Sequence, residues 1–371
     1  MSGTIPLFRV ELPVDAAQTA ATVLASGRLA QGPRVAALEA AWADHFGSPA
    51  VAVRDASAAL TLALHLAGVK AGDEVVVSPL ACLATTSPIV NLGAHPAWCD
   101  VDPDTGMPTA AHVAAALSPR TRAVLLYHWA GDVGPTEALA ALCRARQVPL
   151  IEDATEAFGA TVADRPLGGQ GADYTVYAFG PVRQISTVDG AALMLPPDQR
   201  ARATRLRRFG IDAASFRLPS GDLNPASDIV EPGWNFPMNE LDAALIARQF
   251  ERATGLIEAI RRNGRYFDRA LADVPGVRRL ARRSDAVSGY WTYALRATRR
   301  DALVARLHAA GIGAQRLHVR NDGYSGFAGV RRPQRLPGVE FFDRENLCVP
   351  CGPWVSPADA ERIAACIRDG A

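Results

Sequence analysis

Apolar residues recur at helical spacing from Val35 to Phe46 and again from Ala58 to Leu66, which predicts two amphipathic helices. Short apolar or β-branched runs stand between and after them: Val51-Ala52-Val53, Glu74-Val75-Val76-Val77, Ala123-Val124-Leu125-Leu126 and Val148-Pro149-Leu150-Ile151. Strands alternating with helices of this length predict an α/β fold, a mostly parallel sheet covered on both faces. Ligands of such sheets lie beyond the carboxyl ends of the strands. The polar residues after each run are therefore candidates: Arg54-Asp55-Ala56-Ser57, Ser78 to Cys82, Tyr127-His128-Trp129 and Glu152-Asp153. A helical stretch from Asn239 to about Leu271 links to a smaller mixed region. That region holds a strand pattern at Tyr290 to Leu295, a helix pattern from Arg300 to Ala310 and a loop-rich stretch to Pro337. The expected division is 1–240, a large domain that includes the N-terminal segment, and 241–371, a linking helix with a small α+β domain.

A chain of 371 residues with 49% hydrophobic and 21% charged residues can bury a sizeable core. Its net charge of +1 offers nothing to nucleic acid or to an anionic membrane surface. No apolar run nears the ~20 residues that span a bilayer. The first residues lack a basic-then-apolar signal pattern, so a cytoplasmic protein is expected. Cys348-Val349-Pro350-Cys351 has no second cysteine pair or nearby histidine, and reads as a late strand and its turn with no metal. The chain has one lysine, Lys70, in the polar turn Gly68 to Asp73. A GC-rich genome would account for arginine in place of lysine on surfaces, but not for the loss of an indispensable nucleophile.

Ile151-Glu152-Asp153-Ala154-Thr155-Glu156-Ala157-Phe158-Gly159-Ala160 resembles the EDAAQAxGA stretch of the DegT/StrS family of sugar aminotransferases. These are pyridoxal-phosphate (PLP) enzymes of the aspartate-aminotransferase fold, PLP fold type I. The resemblance runs over essentially the whole chain. Ser26 to Pro33 is similar to SGxxxxGP, Asp55 to Leu60 to SGTxAL, and Ala71 to Val75 to GDEV. Leu92 to Asp102 is similar to xGAxPVFxDVD, and Gly233 to Glu240 to GYNYRMNE. The family implies that Asp153 faces the pyridine nitrogen and keeps it protonated. It implies that Ser57 and the Ala58 amide hold the phosphate at a helix start. Cys82 takes the ring-stacking position, and Asn235 reaches the neighbouring subunit's phosphate, which implies a homodimer with shared sites. His318 to Tyr324 resembles an HxRNDxY/H loop, which puts His318, Arg320, Asn321 and Tyr324 on the substrate side. His128-Trp129 resembles HWGG, and Trp354 lies in a stretch similar to GWWLS; Gln184, Trp129 and Trp354 join the substrate side by the same resemblance. His128 and His318 are both expected to face the cleft. His65 and His308 lie in helical patterns and read as structural, and Arg205, Arg207 and Arg208 as a solvated helix face.

The departures from the family are concentrated in the site. Its SFxxxK is Ala178-Phe179-Gly180-Pro181-Val182-Arg183 here, aligned by Ser186-Thr187-Val188-Asp189-Gly190. Arg183 therefore stands where the Schiff-base lysine is expected, and a guanidinium has no nucleophilic amine. Ala178 replaces a phosphate-binding serine, at a typical cost of roughly 1.5–3 kcal/mol for a charge-assisted hydrogen bond. Glu156 replaces the glutamine or histidine beside the ring hydroxyl, where two oxyanions would repel. The expectation is an aminotransferase-like enzyme that does not transaminate and works without PLP or with PLP or PMP bound noncovalently. Its substrate would be a small molecule, a nucleotide-linked sugar or a natural-product intermediate. Arg183, Glu156, Asp153, His128 and His318 are the candidate catalytic groups. One alternative is a non-catalytic partner subunit of an active homologue, and a nucleotide-sugar aminotransferase ranks last on chemistry.

Overall fold

Each predicted apolar run becomes a strand in the computed structural model, which describes residues 3–327 and 335–370. The strands are β1 (Ala50–Val53), β2 (Glu74–Val77), β3 (His95–Trp98), β4 (Thr121–Tyr127), β5 (Leu150–Asp153), β6 (Thr161–Val162) and β7 (Arg165–Pro166). They continue with β8 (Tyr174–Ala178), β9 (Ala191–Met194), β10 (Val277–Arg279), β11 (Ala286–Val287), β12 (Tyr293–Ala297) and β13 (Asn346–Val349). A seven-stranded sheet has the order β1-β9-β8-β5-β4-β2-β3. β3, β2, β4, β5 and β8 run parallel, and β9 alone is reversed, antiparallel to both β1 and β8. Every residue of β1, β2, β5 and β9 is buried, as expected for strands covered on both faces. The reversal of β9 matters for the site. Its first residues lie at the same sheet end where the parallel strands finish.

The two predicted helices extend slightly, to Pro33–Phe46 and Ala56–Leu66. Proline opens the first and Gly47 ends it in the left-handed region, a common pair of boundary signals. The long stretch from Asn239 is two helices, Glu240–Phe250 and Ala253–Ala270, broken at Glu251-Arg252. They bury their apolar sides against different partners. The first packs on the helices Ala16–Ala25 and Pro33–Phe46, the second on Pro357–Arg368. The change of partner thus comes one helix later than residue 240. Near the start of the chain, Ile5 bridges Ile312 rather than joining the large sheet.

The small domain carries an antiparallel sheet, β10-β12-β13, and β11 pairs with the β6/β7 hairpin. Within the stretch expected to be loop up to Pro337, Asn321–Gly323 and Ser325–Phe327 form short 3-10 turns, and residues 328–334 lie outside the described residues. Cys348 sits on β13, and it and Cys351 are buried free thiols. Arg207 departs from the solvated face expected for it. It is buried and donates to Glu39 and, at 2.8 Å, to the Ala52 carbonyl.

Strand alternation decides where the residues of β5 point. Leu150 packs with Leu126 and Val124 in one core, and Ile151 with Leu125, Tyr127 and Val176 in another. Glu152 therefore shares the Leu150 side, and Asp153 the Ile151 side. Glu152 is fully buried, and His128 faces it at 3.1 Å. The His128 Nδ1 accepts from Gly134 N at 3.1 Å, so the ring proton is on Nε2 and donates to Glu152. Thr136 and Thr175 donate to the same carboxylate at 2.5 and 2.9 Å. Burial alone would raise the Glu152 carboxyl, but the His128 hydrogen bond and the two threonines outweigh it and hold it below its ordinary value. His128 is thus a buried structural partner on the sheet face away from Asp153, not the cleft-facing group expected. His128→Ala should cost about 3–5 kcal/mol by stranding the Glu152 carboxylate, measured by urea denaturation of the purified chain.

Candidate functional site

At the carboxyl end of the sheet, five segments converge: Asp55-Ala56-Ser57 after β1, Cys82 after β2, Tyr127 closing β4, Asp153 to Glu156 after β5 and Ala178 to Arg183 after β8. The Cys82 thiol feels the charges of Glu156, Asp153 and Arg183, which marks these four as one neighbourhood. Asp153 is buried and accepts from Thr85 Oγ1 at 2.6 Å and from Thr155 N at 3.0 Å. Burial pushes its carboxyl above the ordinary value despite those bonds. Cys82 caps the start of the helix Leu83–Asn91, which carries Thr85, and burial raises its thiol as well.

Glu156 is the centre of the arrangement. It has no solvent exposure, and Ala130 N donates to its Oε2 at 3.0 Å. His318 Nε2 lies 3.1 Å from its Oε1 and 2.7 Å from the Tyr127 hydroxyl, so one ring nitrogen faces both a carboxylate and a phenol. Burial, then the Glu156 charge, pushes the Tyr127 phenol well above its ordinary value and keeps its proton in place. The Arg183 Nη1 stands 3.6 Å from Glu156 Oε1, beyond a direct hydrogen bond, and is buried without a hydrogen-bond partner. Its guanidinium lies over the Trp291 ring at 4.6 Å, and Trp291 is stacked in turn on Phe8 and donates to Val182 O. Gly131 lets these layers close. A Cβ there would lie 2.7 Å from Glu156 O and 2.9 Å from Trp291 N, and its φ of +93° also favours glycine.

The structure thus brings together Arg183, Glu156, Asp153, His318 and Cys82, with Gln184 beside them. The Gln184 Nε2 donates to Glu156 O at 2.6 Å, while its buried Oε1 has no partner. Trp129 is fully buried and meets the His318 ring edge-on at 5.5 Å, so it supports that histidine. Asn321 is buried too, donating to Ala81 O and Thr86 Oγ1 at 3.0 and 2.9 Å, and it pins its loop to the segment after β2. Arg320 is paired with Asp322, and Tyr324 is exposed. Trp354 lies apart, donating to Pro6 O at 3.1 Å. His65 pairs with Glu231, and the His308 ring bonds the Ala314 carbonyl, both outside the cleft. Lys70 sits in the exposed turn before β2, at the amino end of the strand. Roughly 10 Å of strand separates it from the cleft.

Sequence patterning missed Thr85 and Trp291, and singled out Tyr127 only as a polar residue after a strand. A threonine inside an apolar helix and an aromatic inside a strand run carry no local signal of a role. The residue set does not suit a lysine-tethered PLP. Among the described residues no lysine reaches the cleft, and the Ala58 amide is already taken by Asp55 Oδ1 at 2.8 Å. The described residues contain no cluster of metal-ligating side chains, and no helix long and apolar enough to cross a membrane.

Comparison with known proteins gives a consistent result. The profile of the DegT/DnrJ/EryC1/StrS aminotransferase family matches residues 12–368. The crystal structure of the sugar aminotransferase CalS13 from Micromonospora echinospora is 34% identical, with a TM-score of 0.93 over 99% of this chain and 100% of that one. AtS13 from Actinomadura melliaura is 34% identical, with a TM-score of 0.93 over 100% of each chain. The aminotransferase TlmJ from Streptoalloteichus hindustanus is 31% identical, with a TM-score of 0.91 over 99% of each chain.

A raised thiol in this cleft has a measurable consequence. Alkylation of Cys82 by iodoacetamide, followed by peptide mass spectrometry, should accelerate by more than twofold above pH 9.0, where an unperturbed thiol is half ionised and can at most double its rate.

Proposed function

The chain belongs to the DegT/DnrJ/EryC1/StrS aminotransferase family, and from that premise we propose that it is a member that has given up transamination. Arg183 stands in for the Schiff-base lysine, and the protein's own side chains carry out proton transfer on a sugar or natural-product intermediate. The observation that carries this reading is the Arg183 guanidinium held beside Glu156 and over Trp291, with Lys70 at the opposite end of the sheet. An arginine so placed keeps its proton and offers a fixed positive charge.

The chemistry such a set supports is abstraction of a proton next to a carbonyl. The acceptor is the Glu156–His318 pair, whose members are 3.1 Å apart and share the Tyr127 hydroxyl. As the carbon–hydrogen bond breaks, its electron pair moves onto the carbonyl oxygen. The Arg183 guanidinium, 3.6 Å from Glu156, supplies a fixed positive charge to that developing oxyanion. Return of a proton to the same carbon, as the electron pair moves back from oxygen, completes exchange or epimerisation with no amino donor consumed. The homodimer implied by the family is part of the same reading, with Asn235, exposed in the single chain, as a contribution to the neighbouring subunit.

Two experiments test the reading. After incubation with PLP and borohydride reduction, peptide mass spectrometry should find no pyridoxyl group in the cleft; a pyridoxylated cleft residue in the native chain would sink it. Incubation of nucleotide-linked keto-sugars in D2O without an amino donor should show deuterium entering next to the carbonyl by NMR. Glu156→Gln and Arg183→Ala should each slow that exchange by about 100-fold or more. Conversion of the ketone to an amine once PLP and an amino donor are added would instead establish an aminotransferase.

A further inference from the structure

At one corner of the cleft the ends of β1 and β8 meet the start of the reversed β9. Val53 and Ala178 both pair with Ala191, so Arg54-Asp55, Ala178 to Gly180 and Asp189-Gly190 are neighbours there. The helix Ala56–Leu66 begins at this corner, and a helix start with free N–H groups ordinarily favours an anion. Here a carboxylate already fills that role. The Asp55 Oδ1 accepts from Ala58 N at 2.8 Å, and its Oδ2 faces Arg54 Nε at 3.0 Å. A second carboxylate, exposed Asp189, accepts from Gly190 N at 2.8 Å and lies 3.7 Å from where a Cβ on Gly180 would stand. Burial raises the Asp189 carboxyl, and the Asp55 charge adds to the effect. Ala178 brings only a methyl group to the same corner. The nearby cation, Arg54, is spent on Asp55 and on the Asn235 carbonyl at 3.1 Å.

We infer that this corner does not fit the phosphate dianion of a pyridoxal-type cofactor. A phosphate would set two further negative charges against a helix start that holds one and faces another. Fixed like charges of this kind discriminate by repulsion rather than by contact. The inference stands on Asp55 at the helix start and on Ala178, with the Arg54 and Arg183 charges opposing that of Asp189.

The test compares pyridoxamine with pyridoxamine 5′-phosphate, which lack an aldehyde and so form no imine with Lys70 or any other amine. Binding is followed by calorimetry on the full chain and on an Asp55→Ser/Ala178→Ser double variant. Serine caps a helix about as well as aspartate, and loss of the exposed Arg54–Asp55 pair costs little, so the variant should fold. Its melting curve checks that. The native chain should show no more than about a threefold preference for the phosphate ester, and the variant at least about tenfold, or 1.4 kcal/mol. If the native chain binds neither compound, acquisition of the phosphate ester alone by the folded variant gives the same support. A native chain that prefers the ester by about tenfold, or a folded variant without such a preference, overturns the inference. Reduction of a PLP adduct, the test for Arg183, bears on neither outcome.

Discussion

A carboxylate with no access to water has to be compensated by the protein, and Glu156 imposes that requirement on everything around it. One backbone amide, one histidine and one guanidinium meet at its two oxygens. Each comes from a distant part of the chain. Ala130 lies in the loop after β4, Arg183 in the loop after β8, and His318 in the small domain. Glu156 thus ties the small domain to the large one through a charge as well as through packing. Trp291 covers the guanidinium face at 4.6 Å, and the buried Nη1 is left without a hydrogen-bond partner.

The sheet contributes a second constraint. Because β9 runs against its neighbours, it delivers Asp189 to the end of the sheet where the parallel strands deliver Asp55, Asp153 and Glu156. The cleft therefore collects four carboxylates beside the Arg54 and Arg183 guanidiniums. Asp153 is moderated by Thr85 and Thr155, and Asp55 by a helix start and Arg54. A phosphate cofactor adds negative charge where this set already has a surplus. The same surplus suits a site that moves protons and holds uncharged or cationic groups.

Much of this architecture could be read from the chain. Short β-branched runs separated by amphipathic helices led to a mostly parallel sheet, and the ordered family motifs to its aminotransferase type. The reversed strand β9 could not be read by patterning, since Ala191 to Met194 is as apolar as its parallel neighbours. Nor could the break at Glu251-Arg252, which has no glycine or proline and arises because the two helices bury their faces in different places. His128 shows the limit for a single residue. It follows a strand and precedes a loop, as a cleft residue would, yet its ring turns to Glu152 on the other face.

By itself the sequence determined the class of fold, the single lysine in its turn and the identity of Arg183, because periodicity and residue chemistry are local properties. Only the tertiary structure decided which of the polar residues meet. Strand alternation separated Glu152 from Asp153, the reversed strand brought Asp189 to Asp55, and domain packing carried His318 and Trp291 to Glu156 and Arg183. Those meetings join residues far apart along the chain, and the hydrophobic pattern records which residues are buried but not which partner each one finds.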